Sequence, residues 1–345
     1  MLLEQHKDPA LSRDLRDCTS GAAEAMDLPP ADDPGSLSGE EVLRYARSAA
    51  IIDERDGLLL ADKLEQGAKG GVSLLVADAV DDEPYVSSQL SPLFKLSQQA
   101  VEGLWLAARA AGTSESIIAV YKNLYDTRLK IPGSLYGVRI RKITGKYPAE
   151  ARTLFTQQPQ STLLVGVCAL IHLYRAVHRG VRQTSAFVTV AGDCVANPQN
   201  LEVLCGVTTR QVLERCGLIE IPGRVVLGGP MTGRCISPDE EVPVTPTTRA
   251  VLAFRSNERD RHYQCIGCGK CVKVCPQGLS PVYLYKGAQT KNLRLLRLCD
   301  AVFCTGCGTC SYVCPAKLDL SAEIRRAAGI VRSLDSAKEE VASHD

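Results

Sequence analysis

The run Cys265-Ile-Gly267-Cys268-Gly269-Lys-Cys271-Val-Lys-Val-Cys275-Pro276 recurs as Cys304-Thr-Gly306-Cys307-Gly308-Thr-Cys310-Ser-Tyr-Val-Cys314-Pro315, both with the spacing C-x2-C-x2-C-x3-C-P. No other feature restricts the fold as much, because sulfurs at fixed short intervals demand tight loops that bring them together. Three cysteines at intervals of three wrap a loop around a common centre. The glycines let backbone N–H groups face that centre, and each proline turns the chain after the last cysteine. These cysteines belong to a set of 15 in 345 residues. The N-terminal stretch MLLEQHKDPALSRDLRDC has no basic segment followed by an apolar one, so no secretory leader is read there. The longest apolar stretch, Leu163 to Tyr174, contains His172 and falls short of the roughly 20 residues a spanning helix needs. A soluble, cytoplasmic protein without a transmembrane segment is expected, and there clustered cysteines hold metal rather than each other.

The repeated spacing is that of cysteines around [4Fe–4S] clusters, and in proteins with two such clusters the fourth cysteine of each run ligates the other cluster. The expected sets are Cys265, Cys268, Cys271 and Cys314 for one cluster, and Cys304, Cys307, Cys310 and Cys275 for the second. Zinc sites commonly use two separated Cys-x2–4-Cys arms, not three equal steps and a proline. The other cysteines (Cys18, Cys168, Cys194, Cys205, Cys216, Cys235 and Cys299) form no ligand-like pair and read as small buried hydrophobes, with Cys299 close to the second run. Five scattered histidines give no basis for another metal site. The insert of 28 residues between Cys275 and Cys304 reads as helical, as does Ser321–Val331. Lys270, Lys273, Lys286, Lys291, Arg294 and Arg297 make this segment locally basic, which suits either a solvated helix face or docking of an acidic electron carrier.

Upstream, residues 1–38 read as a polar, poorly ordered lead, followed by a helix start at Ser38 with Glu41 as a capping box. Strand patterns at Ser73–Ala79, Ser116–Tyr121, Gly137–Ile143 and Leu163–Cys168 alternate with helical patterns at Leu93–Ala111, Pro148–Phe155 and the segment ending near Gly180. This alternation predicts an α/β domain with a mostly parallel sheet over 39–185. Phe187–Ala191, Leu201–Cys205, Thr208–Cys216 and Arg224–Leu227 read as strand, strand, helix and strand, compatible with a small β-grasp module over 186–255 that includes Arg249–Phe254. Residues 256–333 form the cysteine domain and 334–345 a polar tail. A formal net charge of +1 and 5% aromatic residues argue against a nucleic-acid binder.

Taken with Asp193-Cys-Val-Ala-Asn197-Pro198 and Gly228-Gly229-Pro230-Met231-Thr-Gly233, the cysteine domain resembles the RnfC family, over roughly residues 40–333. That family includes the C subunit of the Rnf ion-pumping complex and the cobalamin reductase of propanediol-using microcompartments, and is related to the NADH-oxidising 51 kDa subunit of complex I. Glu83-Pro84-Tyr85 and Lys146-Tyr147-Pro148 match family motifs. The resemblance implies a Rossmann-like α/β domain of the complex I 51 kDa type, a β-grasp (SLBB) module and a helical dicluster ferredoxin domain. It also marks Glu83 and Tyr85 as remnants of a flavin or nucleotide site, a purely structural turn being the other reading.

Departures from the family are concentrated where a nucleotide would bind. The family's glycine-rich phosphate loop corresponds here to Ile52-Asp53-Glu54-Arg55-Asp56-Gly57-Leu58, in which one glycine survives and three carboxylates would repel a phosphate. After Lys-Tyr-Pro the chain runs Ala149-Glu150-Ala151-Arg152, and Gly166-Val167 stands where the family has an Asn-Val pair near the flavin. The sequence therefore predicts an iron–sulfur electron-transfer subunit without its own NADH oxidation. Its partners would be a flavoprotein or ferredoxin donor and an acceptor enzyme, with peripheral association to a membrane complex left open. The alternative is an FMN-dependent NADH or cobalamin reductase with an atypical site; the lost glycines count against NADH more strongly than against FMN.

Overall fold

The computed structural model describes residues 14–21, 23–122, 130–145, 147–149, 161–255 and 263–342, with side chains up to residue 335. Two units, Met1–Asn257 and Glu258–Asp345, divide the chain. Most of the expected helix at 148–155 lies outside the described residues, as do Lys146, Glu150, Ala151 and Arg152.

In the first unit, strand β1 (Arg16–Asp17) precedes helices α1 (Gly39–Ser48) and α2 (Leu60–Lys69), strand β2 (Leu74–Ala79), helices α3 (Leu90–Lys95) and α4 (Ser97–Ala110), and strands β3 (Glu115–Tyr121), β4 (Ser134–Leu135), β5 (Val138–Ile143) and β6 (Thr162–Gly166). Helix α5 (Val167–Arg179) leads to strands β7 (Ser185–Ala191) and β8 (Gln199–Leu204), helix α6 (Thr209–Arg215), and strands β9 (Arg224–Leu227), β10 (Arg234–Ile236) and β11 (Ala250–Phe254). One sheet has the order β4-β5-β3-β2-β6, parallel except at β4. Side chains alternate across it: Leu75, Ala77, Ile118 and Val165 join the core formed with the helices, while Val76, Ile117, Ala119 and Leu164 pack together on the other face. The second sheet, β1-β8-β7-β11-β9-β10, keeps the 2-1-5-3-4 order of a β-grasp in its last five members, with β7 and β11 parallel at the centre.

Local signals explain several boundaries. Ser38 and Glu41 close the expected capping box on α1, and Thr208 with Gln211 does the same on α6. The helix expected over Leu93–Ala111 is two helices, because Leu96 leaves the helical region (φ −116°, ψ 37°) between α3 and α4. The strand expected to reach Cys168 ends at Gly166, and Val167 already begins α5.

The lead is only partly as expected. From residue 14 onward its described portion is tied to the unit rather than poorly ordered. Strand β1 pairs with β8, the Met26 N–H donates to Gly180 at 2.8 Å, the Ala31 N–H donates to Val177 at 2.9 Å, and the Tyr45 hydroxyl donates to Pro29 at 2.9 Å. Backbone pairing of this kind outweighs polar composition as a guide to order.

Helix α5 joins the two sheets. Arg175 pairs with Glu202 of β8, which also accepts from the Ser185 hydroxyl at 2.7 Å, and the guanidinium lies 5.7 Å from the Phe187 ring centre. One turn earlier, His172 is 3% exposed, packs against Phe187, and its Nε2 has no hydrogen-bond partner. Burial, helped by the Arg175 charge, lowers its pKa to about 4. A base whose pKa is depressed in the folded state stabilises the fold above its unfolded value near 6.5 and loses that contribution as pH falls toward 4. Acidification across that window should cost on the order of 3 kcal/mol through His172. Fluorescence of Trp105, the chain's one tryptophan and a residue of α4, reports unfolding of this unit. His172→Gln should flatten the acid limb; an unchanged limb would show that the charge is accommodated elsewhere.

Candidate functional site

The second unit contains α7 (Lys270–Val274), α8 (Pro281–Gln289), α9 (Leu293–Leu298), α10 (Thr309–Tyr312) and α11 (Leu320–Ala342). Its two cysteine runs fold alike. Gly269 (φ 70°) caps α7 and Gly308 (φ 78°) caps α10, both in the left-handed region that side chains disfavour. That turn places the third cysteine of each run, Cys271 or Cys310, at the second position of a short helix. Cys275 ends α7 and Cys314 follows α10, so each fourth sulfur is carried away from its own loop.

Cys265, Cys268 and Cys271 line a cavity of about 370 Å³, and the fourth cysteine at that cavity is Cys314 from the other run. Ile266, Tyr283, Tyr285 and Leu318 make its remaining wall largely apolar. Conversely, Cys310 has Cys307, Cys304 and Cys275 as electrostatic neighbours. Burial, reinforced by those sulfurs, pushes the Cys310 thiol up to about 12, and burial also raises Cys304 and Cys271. Sulfurs gathered in this way stay protonated unless a cationic centre neutralises them. Among the described residues, no three His, Cys, Asp or Glu side chains form a group that would hold a metal ion. The first set instead surrounds a volume. Thiol donors, apolar walls and glycine-turned loops are what a polynuclear iron–sulfur body requires. The two sets differ in access: Cys265 and Cys268 are exposed, whereas Cys310 is buried. Cys299 caps the end of α9 and packs on the hydrophobic core of this unit.

The other candidate region lies in the first unit. Strand β2 has β3 on one side and β6 on the other, so the chain reverses its direction of sheet growth at β2. The crevice beyond the carboxyl ends of such strands is where open α/β sheets bind ligands. Here that crevice contains the 53–56 loop. Asp53 accepts from the Gly166 N–H at 3.2 Å and pairs with Lys63, which also contacts Asp56 at 2.7 Å. Arg55 pairs with Asp78 at the end of β2, and Arg249 with Asp81 at 2.9 Å. Glu54 accepts from the Cys168 and Ala169 N–H groups at 2.9 and 3.0 Å, capping α5, which has no cap from its own N-cap residue. Burial, with Asp53 alongside, pushes the Glu54 carboxyl up to about 7 against the pull of those donors.

Glu83 accepts from the Met231 N–H at 3.0 Å and from the Thr232 hydroxyl, pinning the turn that contains Gly229. Tyr85 has φ 65° and meets Phe254 edge-on at 5.4 Å. An open polar cavity of about 610 Å³ remains between Glu54, Arg55, Glu83, Gly229 and Arg249. The sequence marked the acidic loop as repulsive toward phosphate; it did not show that the acids are buried and internally bonded. Glu54 carried no signal of this role, since Cys168 and Ala169 are more than a hundred residues away, and Lys63 none because its pairing with Asp53 and Asp56 across the turn into α2 follows no local pattern. The N–H groups at the start of α5 are already engaged by Glu54, so they are not available to a flavin phosphate.

A family model for a 4Fe-4S dicluster domain matches residues 264–318. Curated relatives include the C subunit of an ion-translocating oxidoreductase complex of Rhodobacter capsulatus, 28% identical over 73% of this chain and 52% of the relative. The C subunit of the Na(+)-translocating ferredoxin:NAD(+) oxidoreductase complex of Acetobacterium woodii is 29% identical over 63% of this chain and 53% of its own length. The chain thus spans about half the length of these relatives. A crystal structure of an NAD+-reducing [NiFe]-hydrogenase in the H2-reduced state superposes with a TM-score of 0.56 at 16% identity, covering 87% of this chain and 63% of that one. Fold and cysteine runs together place the chain among proteins that share this α/β fold and carry a 4Fe-4S dicluster domain. Within that class the chain is RnfC-like, resembling the C subunit of the Rnf complex over most of its length. Among the described residues no helix is long and apolar enough to cross a membrane.

The packing of the crevice gives a direct test. A Cβ on Gly166 would fall onto the Glu54 carboxylate. Gly166→Ala should therefore cost about 1–3 kcal/mol, read from the denaturation midpoint by Trp105 fluorescence. The cost should shrink when Glu54 is also replaced by alanine; equal costs in both backgrounds would remove Glu54 from that position.

Proposed function

We propose that the chain is an electron-transfer subunit that holds two [4Fe–4S] clusters and relays electrons between a redox partner and an acceptor enzyme, without oxidising NADH itself. The observation that supports this reading is the neighbourhood of the fourth cysteines: Cys314 lines the same cavity as Cys265, Cys268 and Cys271, and Cys275 is an electrostatic neighbour of Cys304 and Cys310. Bound there, each cluster would supply one-electron transfer with no bond made or broken in the protein. The cysteine thiolates would hold the irons, and the apolar wall around Tyr285 and Leu318 would shield one side of the first set from water. Lys270, Lys273 and Lys286 belong to this unit and make its surface basic, which favours an acidic partner near the accessible Cys265–Cys268 loop. A reduced flavoprotein or ferredoxin would donate the electron, and a docked enzyme would take it up.

The charged interior of the α/β crevice supports the absence of NADH oxidation, because its anion-facing N–H groups are occupied. The competing reductase reading rests on the remaining polar cavity beside Arg55 and Arg249. An anaerobic absorption spectrum before and after NADH separates the two. A broad iron–sulfur band bleached by dithionite and untouched by NADH is expected; flavin features that bleach on adding NADH would make the chain a reductase.

The ligand sets are testable independently. Cys268→Ser and Cys314→Ser should remove the same electron paramagnetic resonance signal, while Cys275→Ser and Cys307→Ser should remove the other. Each should lower iron from about eight to about four per chain. If Cys314→Ser instead abolished the signal lost in Cys307→Ser, the exchange of fourth ligands would be wrong.

A further inference from the structure

Helix α11 brings two arginines against the second cysteine run. Ile324, Ala327, Ala328 and Val331 form its buried face, packed into the core of the second unit. Residues seven apart on a helix are two turns apart and differ in direction by only about 20°. Arg325 and Arg332 are so spaced and stand together on one flank of that face. Arg332 donates from Nη2 to the Val302 carbonyl at 2.5 Å, two residues before Cys304. The stem of Arg325 covers Gly306, between Cys304 and Cys307: a Cβ there would lie 3.0 Å from Arg325 Cδ and 3.8 Å from its Nη1. Burial raises the Cys304 thiol, and the Arg332 charge opposes that rise, favouring the thiolate.

The charges of these two arginines are not spent on carboxylates. Nearby, Arg326 pairs with Glu323 at 2.7 Å and Arg297 with Asp335 at 2.7 Å. Among the described residues, neither Arg325 nor Arg332 pairs with an Asp or Glu. The first set is in mixed company by comparison. Lys286 lines its cavity, while Glu323 and Asp319 act on Tyr285 in the wall of that cavity.

A [4Fe–4S] centre on four thiolates is anionic and gains one more negative charge with each electron, with no bond made or broken. A fixed cation nearby therefore stabilises the reduced form more than the oxidised form. We infer that Arg325 and Arg332 are potential-setting residues of the second cysteine set: their charges, held over the Cys304–Cys307 loop, raise its reduction potential and draw the relayed electron toward it. This rests on the two-cluster reading proposed above and adds which side chains bias the pair.

The test is an anaerobic potentiometric titration of the full, cluster-replete chain at an ionic strength of about 10 mM, where exposed charges are least screened. Electron paramagnetic resonance follows the signal that Cys307→Ser removes separately from the one that Cys268→Ser removes. In Arg325→Gln and in Arg332→Gln, the ratio of reduced to oxidised second cluster at a fixed potential should fall about fivefold, a midpoint more negative by about 40 mV at about 59 mV per decade. The double variant should move further than either. The first midpoint should move by less than half as much in each. Arg325→Lys and Arg332→Lys keep the charge and should stay near the native value. Arg326→Gln, which removes a paired α11 charge, should leave both midpoints in place.

An unmoved second midpoint in both glutamine variants overturns the inference, as does equal movement of the two midpoints. Lysine variants that shift as far as the glutamine ones also overturn it, because shape and not charge would then be responsible. Should Arg332→Gln lose the second signal altogether, Arg325→Gln decides by the same criteria; loss in both overturns the inference, since a potential-setting charge is not required to hold iron. A native chain that loads only one cluster defeats the two-cluster reading as well. Two clusters with unmoved potentials defeat this inference alone.

Discussion

Thiols crowded into a protein interior cannot ionise together without a cation to hold them as thiolates, and the second unit is arranged around that constraint. Its hydrophobic core is a single modest cluster around Leu284, Leu296, Ile324 and Ala328, against which several of the cysteines themselves pack. Burial raises the Cys304 and Cys310 thiols, and neighbouring sulfurs add to the effect. A unit of this size would gain from a bound inorganic centre what a small apolar core does not supply. The proposed exchange of fourth cysteines would also tie two runs, separated by two helices, into one body.

In the first unit the electrostatic problem has the opposite sign. Here the charges are acidic, and they are settled by arginine, lysine and backbone N–H groups rather than by metal. Asp53, Asp56, Asp78 and Asp81 have cationic partners, and Glu54 has a helix terminus. Such networks hold a backbone in one geometry, but breaking any one pair leaves an uncompensated buried charge. Glu83, on the Met231 and Thr232 donors, extends the same arrangement to the turn after β9.

Several elements were legible from local pattern alone. The strand Arg224–Leu227 and the helices capped by Ser38 and Thr208 follow from short-range signals, because β alternation and capping boxes depend on neighbours within a few residues. Helix α2 was not legible: Leu59 supplies no side-chain cap and Gly67 interrupts its interior, so packing rather than propensity forms it. Strand β10, three residues long, exists through pairing with β9. The order in residues 14–38 rests on partners such as Gly180 and Val177, far away in the chain.

The sequence by itself determined the chemistry of the cysteine runs. Spacing, glycines and proline act over a dozen residues, and that range is enough to define a loop that gathers sulfur around a centre. It also showed that the stretch corresponding to the family's phosphate loop keeps a single glycine, Gly57. Only the tertiary structure decided where the loop's carboxylates went, because Glu54 meets the start of α5 more than a hundred residues downstream. A buried charge is settled by whatever the fold brings beside it. The sequence shows three acids within four loop residues, but the structure gives Asp53 and Asp56 a shared lysine, Lys63, and Glu54 the start of α5.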